Sequence, residues 1–404
     1  SNVTYTLNEN ITNGKVTFTQ SPSVPYGSPN FDGNSPQSVS LGGSKSQVGT
    51  TTLSNPVTLK NGATYTISFS GTDANSNTGS ETVANITFDI TSPVFTINTP
   101  SNSATVNTSN INYDLSKTIA SGTVIYTRTD ITAADITHNL TENERKVGTS
   151  KSLSTFPTLV NGATYTIVIS GTDAAGNTGN ATVTGITFTT TPPVFTGITP
   201  STGSSVNSTN VAYTLNESIT SGSVTFTRTG GAEDSSPHVV TLSGAALTGG
   251  VHPYLPNRPT LVDGATYTIS FSGTDAASNT GTASVTNITF DNSNPAFTNI
   301  TPISDTSVNT SNVIYTLSEN IVSGYVAYYL KSITPGAGNS VYQLSGTELQ
   351  SGTNKSLLTP PTLTNDAIYS IVISGTDAAG NNGNVTLSNI TFNDTPPKFT
   401  ILHP

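Results

Sequence analysis

The chain has 404 residues, of which only 9% are charged, and its formal net charge is −10. The 13 Lys and Arg residues are scattered along it, which excludes the extended basic surface that nucleic acid requires. The lack of Cys excludes disulfides, thiolate metal sites and catalytic cysteines, and no apolar run approaches the ~18 residues that span a bilayer.

Alternating apolar residues predict short β-strands in the first hundred residues. A period of two places every second side chain on one face of a sheet, as expected for strands that cover a core. Gly, Asn and Pro turns separate these strands, so the pattern predicts an all-β sandwich. In chain order the strands carry Val3, Tyr5 and Leu7, then Val16 and Phe18, and then Ala63, Tyr65, Ile67 and Phe69.

The strongest signal is internal repetition with a period of about 100 residues. The segment "NGATYTI" begins at residue 61 and returns at 161, as "DGATYTI" at 263 and as "NDAIYSI" at 365. The segment "GTDANSNTG" at 71 keeps the same step, with close copies at 171, 273 and 375. This period exceeds that of a solenoid, so each copy is expected to fold as a domain of its own.

We therefore predict four tandem domains, called repeats 1 to 4 below, that form an elongated rod. Repeat 1 covers residues 1–89 and lacks its own first strand, strand A. Repeats 2, 3 and 4 cover 90–189, 190–291 and 292–393, and residues 394–404 form one further strand A. Short Pro-containing linkers such as "FDITSPVF" favour a semi-rigid connection over a flexible tether.

The last strand of each repeat slips out of phase. In repeat 1, Val83 is followed by Ile86, where strict alternation would place the next apolar residue at position 85. Asn and Gly tolerate positive φ, so the slip predicts a β-bulge. The residues at this position are Asn85, Gly185, Asn287 and Asn389.

The pattern "TLxNGATYTIxxSGTDAAGNTG" followed by "TVTxITFDxTxPVF" resembles the tandem bacterial Ig-like and fibronectin type III-like modules of large extracellular surface proteins. The resemblance covers nearly the whole chain and implies two-sheet Greek-key sandwiches with a spacer or adhesive role at the cell surface. It also implies tyrosine-corner residues at the start of one strand in each repeat. Those residues are Tyr65, Tyr165, Tyr267 and Tyr369.

Strand A has the form "PxFTxITP", which also appears in the last residues as "PPKFTILHP". One interpretation is that the sequence is an arbitrary segment of a longer array. A second is a head-to-tail polymer, in which Phe399 and Ile401 of one subunit insert beside Val3, Tyr5 and Leu7 of the next. A third is a truncated adhesin stalk.

Calcium is an open alternative to the prediction that the chain uses no cofactor. Ig-like surface modules of this kind include some with calcium at their junctions, which requires several oxygen ligands. The other interpretation is that the Asp of "GTD" caps its own turn. In repeat 2, Lys117 replaces the Glu found elsewhere and Thr189 replaces the junction Asp, and this joint loss indicates coupling. The calcium candidates are Glu9, Asp73, Asp89, Asp275, Asp291 and Asp377.

The sequence predicts a structural, non-enzymatic protein of a cell surface or extracellular fibre that self-associates. No Ser/His/Asp order, phosphate loop or metal-spaced His pair indicates catalysis. The alternative is an adhesin that binds a glycan or a host or cell-surface protein through its variable loops. A third class is an accessory region of a carbohydrate-active enzyme. Clustered exposed aromatics would favour the adhesin, with candidates Tyr26, Phe31, Tyr254 and Tyr342.

Overall fold

The computed structural model describes residues 2–54, 56–235, 237–331 and 338–400. These residues form β-strands, loops and short 3-10 helices, without an α-helix among them. No helix in this described part is long and apolar enough to cross a membrane. The 3-10 helices are Gly43–Ser46, Gly244–Leu247 and Gly346–Leu349.

The chain divides into two compact units, Ser1–Thr190 and Thr191–Pro404. Unit 1 holds repeats 1 and 2. The strands of repeat 1 are β1 (Asn2–Leu7), β2 (Asn13–Gln20), β3 (Gln37–Leu41), β4 (Gly49–Ser54), β5 (Thr64–Thr72) and β6 (Thr78–Thr87). The strands of repeat 2 are β7 (Phe95–Thr99), β8 (Thr105–Val106), β9 (Asn112–Leu115), β10 (Ser121–Arg128), β11 (Ile136–Asn139), β12 (Gly148–Ser152), β13 (Thr164–Thr172) and β14 (Thr178–Phe188).

Unit 2 holds repeats 3 and 4. The strands of repeat 3 are β15 (Phe195–Thr199), β16 (Ser205–Val206), β17 (Ala212–Leu215), β18 (Ser221–Gly231), β19 (His238–Thr241), β20 (Gly250–His252), β21 (Ala265–Thr274) and β22 (Thr280–Phe290). The strands of repeat 4 are β23 (Phe297–Thr301), β24 (Ser307–Val308), β25 (Ile314–Leu317), β26 (Ser323–Leu330), β27 (Ser340–Gln343), β28 (Gly352–Ser356), β29 (Ala367–Thr376) and β30 (Asn382–Phe392).

Repeats 2, 3 and 4 share one sandwich topology, which confirms the all-β prediction. In repeat 2 a three-stranded sheet, β7-β9-β12, faces a five-stranded sheet, β11-β10-β13-β14-β8, in which β8 runs parallel to β14. Repeat 1 has only β1-β4 and β3-β2-β5-β6 among its described residues. Among the described residues, each of its sheets is one strand smaller than in the other repeats. That repeat 1 lacks its own strand A stays a prediction.

Each repeat encloses a separate hydrophobic core between its sheets. In repeat 2 the core cluster has 16 buried residues drawn from both sheets, such as Tyr113 and Tyr165. The clusters of repeats 3 and 4 have 18 and 16, whereas that of repeat 1 has seven. The core of repeat 1 is therefore the smallest of the four.

The predicted β-bulge is present in the last strand of every repeat. The pairing register shifts opposite this position, between Tyr65 and Ile67 in repeat 1 and at the equivalent places later. Each bulge residue lies in the left-handed region, which Asn and Gly adopt most readily. Their φ angles are 60° at Asn85, 70° at Gly185, 57° at Asn287 and 56° at Asn389.

Four buried tyrosines tie a strand start to the preceding loop. Each hydroxyl accepts a hydrogen bond from the backbone N–H five residues earlier, which is the geometry of a tyrosine corner. The donor to hydroxyl distances are 2.8 Å from Lys60 to Tyr65, 2.9 Å from Val160 to Tyr165, 3.1 Å from Val262 to Tyr267 and 3.1 Å from Thr364 to Tyr369.

Candidate functional site: the open groove of repeat 1 and the repeat junctions

A groove of about 770 Å³ opens between the two sheets of repeat 1. One wall is β1, with Val3, Tyr5 and Leu7, and the other is formed by β5 and β6, with Phe69 and Val83 among its residues. Its position is the one that strand A occupies in the other repeats, since strand A there pairs with the strand equivalent to β1. The groove therefore lies where strand A lies in the other repeats.

The walls of this groove are more exposed than the same positions elsewhere. Val83 and Ile86 are 45% and 40% exposed, whereas their counterparts Val183 and Ile186 in repeat 2 are 6% and 0% exposed. Tyr5 is half-buried, although the equivalent tyrosines of the other repeats are fully buried. Apolar surface that a sandwich normally covers faces solvent in repeat 1.

In repeat 2 the place is filled by two groups from strand A. The ring of Phe95 packs 6.2 Å from that of Tyr113 and lies against Gly171, where a Cβ would meet the ring at 3.1 Å. The carbonyl oxygen of Pro93 lies over Gly179, where a Cβ would come within 1.8 Å of it. Gly281 and Gly383 meet Pro carbonyls at 1.7 and 1.6 Å in the same way.

In repeat 1 the corresponding glycine, Gly79, has no atom within 4 Å of its Cβ direction. A segment that matches strand A is exposed elsewhere in the chain: Phe399, in the sequence Pro-Lys-Phe-Thr, is 93% exposed. Ile401 lies outside the described residues. Glu9 and Asp73, named as calcium candidates, both line the groove.

The Asp of each "GTD" segment caps its own turn, as the alternative to calcium predicted. Asp73 Oδ1 accepts the backbone N–H groups of Asn75 and Asn77, each at 2.8 Å, and Oδ2 accepts the Asn77 amide at 2.9 Å. Asp173, Asp275 and Asp377 bond their own loops in the same manner. These hydrogen bonds lower the pKa of Asp73. The recurring Asp therefore has a structural role in every repeat.

At the junction of repeats 1 and 2, a lysine lies between the calcium candidate Asp89 and the "GTD" Asp of repeat 2, Asp173. Lys117 Nζ is 2.6 Å from Asp89 Oδ2 and 2.6 Å from Asp173 Oδ2, and it donates to the carbonyl of Thr91 at 2.6 Å. Hydrogen bonds from Lys117 and Asn177 hold the pKa of Asp173 well below its usual range. Desolvation opposes the charge on Lys117, but its bonds to Asp173 and Asp89 outweigh it and raise its pKa.

At the junction of repeats 3 and 4, the same positions carry three carboxylates. Oxygen atoms of Asp291, Glu319 and Asp377 all lie within 4.8 Å of one another. Burial, together with the charges of Asp291, Asp377 and Asp263, raises the pKa of Glu319. The set consists of oxygen donors, which fits a hard cation such as calcium.

At this junction the ammonium of Lys117 lies between Asp89 and Asp173, and calcium at Asp89 stays a prediction. Lys117 pairs with the Asp that ends the preceding repeat, whereas Thr189 ends repeat 2 itself. The residue that matters, Lys117, appeared in the sequence only as a departure from Glu.

An exposed tyrosine lies beside a half-buried phenylalanine in a variable loop of repeat 1. The rings of Tyr26 and Phe31 lie 5.4 Å apart, and Tyr26 is 92% exposed. Tyr254 is exposed in repeat 3, whereas the hydroxyl of Tyr342 donates to Glu348 at 2.9 Å.

The family model described as the bacterial Ig-like domain (group 3) matches residues 55–193. The other copies carry the same motifs and the same strand order. Residues 55–193 thus match the bacterial Ig-like family, whose repeats are structural, non-enzymatic modules.

No curated protein sequence matches the chain. Among solved structures, a tetra-tandem repeat in the extending region of a large adhesion protein is 20% identical and covers 96% of this chain and 95% of that chain, with a TM-score of 0.30. Chicken CNTN1 FN1–FN3 domains are 13% identical over 74% of this chain and 100% of that chain, with a TM-score of 0.24. A structure of a 1.5-MDa bacterial ice-binding adhesin is 15% identical and covers 72% of this chain and 91% of that chain, with a TM-score of 0.25. At these TM-scores none of them defines the function of this chain.

Proposed function

We propose that the chain is part of an extracellular or cell-surface fibre, filament or stalk, and that repeat 1 is completed by a strand from a preceding segment or a neighbouring subunit. The groove of repeat 1 carries this proposal. Its apolar walls match a Pro-x-Phe strand, since the other three repeats hold such a strand in the same place.

The incoming strand binds by β-augmentation. Its main chain pairs with the edge of β1 opposite β4, as β7 pairs with β9 through Phe95 and Leu115. Its Phe ring enters the groove beside Tyr5 and Phe69, whose rings are 5.5 Å apart. Burial of one Phe side chain contributes about 1.5–3 kcal/mol, which favours retention of the strand.

A labelled peptide with the sequence of residues 92–100, SPVFTINTP, tests this proposal by titration with the whole protein. Saturable binding is expected, and the same peptide with Phe95→Ala should bind at least about tenfold more weakly. Gly79→Val in the protein should abolish binding, because its side chain would occupy the position of the Pro carbonyl. Gly42→Ala is the matched control, since Gly42 also has open space around it but lies outside the groove. Equal binding by Gly79→Val and Gly42→Ala would contradict the proposal.

The source of the strand is tested by self-association of the whole protein in analytical ultracentrifugation. If a neighbouring subunit supplies the strand, Phe399→Ala abolishes concentration-dependent association, and the control Tyr26→Ala, which removes another exposed aromatic, does not. Association that persists in Phe399→Ala contradicts the neighbouring subunit as donor and favours a preceding segment.

We also propose that a divalent cation, best fitted by calcium, binds Asp291, Glu319 and Asp377. Bound calcium would supply positive charge that offsets the repulsion among three carboxylates. Calorimetric titration of the whole protein with calcium should show binding that Glu319→Gln weakens or removes. A titration identical in wild type and Glu319→Gln contradicts this site.

A second candidate function is adhesion through the loop of repeat 1. The exposed Tyr26 with its neighbour Phe31 favours a glycan or a surface protein as ligand, because exposed aromatic rings bind sugar faces and anchor protein interfaces. Glycan-array binding that Tyr26→Ala removes would support it, and no binding by the wild type would contradict it.

A further inference from the structure

The junctions within unit 1 and within unit 2 have the same framework of hydrogen bonds. In unit 1 the Asn177 amide donates to the Asp89 carbonyl at 3.0 Å and to Asp173 at 3.0 Å. In unit 2 the Asn381 amide donates to the Asp291 carbonyl at 2.9 Å and to Asp377 at 2.8 Å. The two linkers are therefore held by equivalent amides on equivalent loops.

The linker backbone donates equivalent hydrogen bonds at both junctions. The N–H of Thr91 donates to Asp89 Oδ1 at 2.9 Å, and the N–H of Ser293 donates to Asp291 Oδ1 at 3.1 Å. The N–H of Ile90 donates to Asn61 Oδ1 at 2.9 Å in unit 1, and the N–H of Asn292 donates to Asp263 Oδ1 at 2.5 Å in unit 2. These matches allow the charged groups at the two junctions to be compared position by position.

The two junctions differ in the sign of the charge on their central side chain. Lys117 in unit 1 and Glu319 in unit 2 hold the same repeat position, between a linker Asp and a loop Asp. Two carboxylates with one ammonium have a formal charge of −1, whereas three carboxylates have −3. The ammonium has three N–H donors, and it has three oxygen neighbours at 2.6 Å. Its donors are therefore fully used.

We infer that Lys117 is a built-in cation that holds the junction of repeats 1 and 2 without a metal ion. Its ammonium joins the linker, through Asp89 and Thr91, to the loop of repeat 2, through Asp173. This junction is consequently insensitive to divalent cations and chelators, whereas the junction of repeats 3 and 4 needs an added cation. The lysine part is independent of the cation proposed above, and only the contrast between the junctions rests on it.

Hydrogen exchange of the whole protein, read by mass spectrometry, tests this inference. The reporters are the amides of Ile90 and Thr91, which bond side chains at the junction. In the wild type their exchange should be the same, within twofold, in calcium and in a chelator. In Lys117→Gln it should be roughly tenfold faster in both, because hydrogen bonds to charged groups are lost. Lys146→Gln, which removes an exposed lysine paired with Glu142, is the matched control and should match the wild type.

A variant that reverses the charge of Lys117 tests whether its ammonium occupies the position of a bound cation. Lys117→Glu should exchange quickly in a chelator and regain slow exchange when calcium is added. Exchange within β13 reports whether repeat 2 has stayed folded in each variant.

Wild-type exchange in Lys117→Gln, or a wild-type junction that responds to the chelator, would overturn the role of the lysine. Lys117→Glu that stays fast at every calcium concentration would overturn the equivalence of ammonium and cation. Failure of the groove proposal would instead appear in peptide binding to β1 and β6, which these variants do not touch.

Discussion

Adding one methyl group to equivalent glycines should have opposite consequences in repeats 1 and 2. Gly179→Ala places a Cβ 1.8 Å from the carbonyl oxygen of Pro93, far inside the contact distance, and backbone rather than a flexible side chain must move. Gly79→Ala meets nothing within 4 Å. Neither glycine has a positive φ, so backbone strain contributes to neither substitution.

The expected magnitude follows from what strand A contributes. If β7 is pushed from its place, Phe95 loses its packing against Tyr113 and Gly171. Loss of one buried Phe together with overpacking costs about 2–4 kcal/mol. Gly79→Ala should change the stability of repeat 1 by less than about 0.5 kcal/mol, since it touches nothing.

Hydrogen exchange by mass spectrometry is the suitable assay because it reports each repeat separately. Amides of β14 should exchange faster in Gly179→Ala, and amides of β6 should exchange at the wild-type rate in Gly79→Ala. Equal effects of the two substitutions, in either direction, would refute the view that the groove of repeat 1 is the vacant place of strand A.

Three further predictions concern stability. Glu144 is 3% exposed; burial opposes its charge, but N–H groups of Thr141 and Ser154 with His138 lower its pKa from an ordinary value near 4.5 to about 2. The ionised Glu144 therefore stabilises the fold above about pH 5, and this contribution is lost as the pH falls towards 2. Glu144→Gln should remove about 2 kcal/mol of it, as measured by acid titration followed by circular dichroism. An unchanged acid transition would contradict this. Tyr165→Phe should cost about 1 kcal/mol in thermal unfolding, since the Val160 N–H loses its acceptor, and no loss would contradict a role for that bond. Asn287→Val should cost about 1–2 kcal/mol in denaturant unfolding while Asn287→Gly stays near wild type, because φ is 57° there; equal costs would argue against backbone strain.

Local features of the fold were predictable from the sequence because they depend on neighbouring residues. Strand alternation and the bulge at Asn85 follow from period two and from the backbone tolerance of Asn. That repeat 1 lacks strand A stays a prediction, which rests on comparison with the three other copies. The four domain boundaries and the elongated rod stay predictions, since contacts divide the chain into two units.

The junctions were less predictable because each joins residues that are distant along the chain. Asp89, Lys117 and Asp173 meet from a linker and two loops, so the pairing depends on how repeats 1 and 2 pack. The sequence showed Lys117 as an exception to the recurring Glu but could not show its partners, Asp89 and Asp173. The recurrence of Gly79 at the end of every "GTD" segment indicates a shared structural role for this glycine. The open space beside Gly79 could not be predicted from the sequence.

Electron cryo-microscopy of the assembled native material tests the central claim most directly, at a resolution that traces side chains beside β1. The account predicts an extended segment paired with β1, with a Phe ring beside Tyr5 and Phe69 and a carbonyl over Gly79. An empty groove in fully assembled material would contradict it.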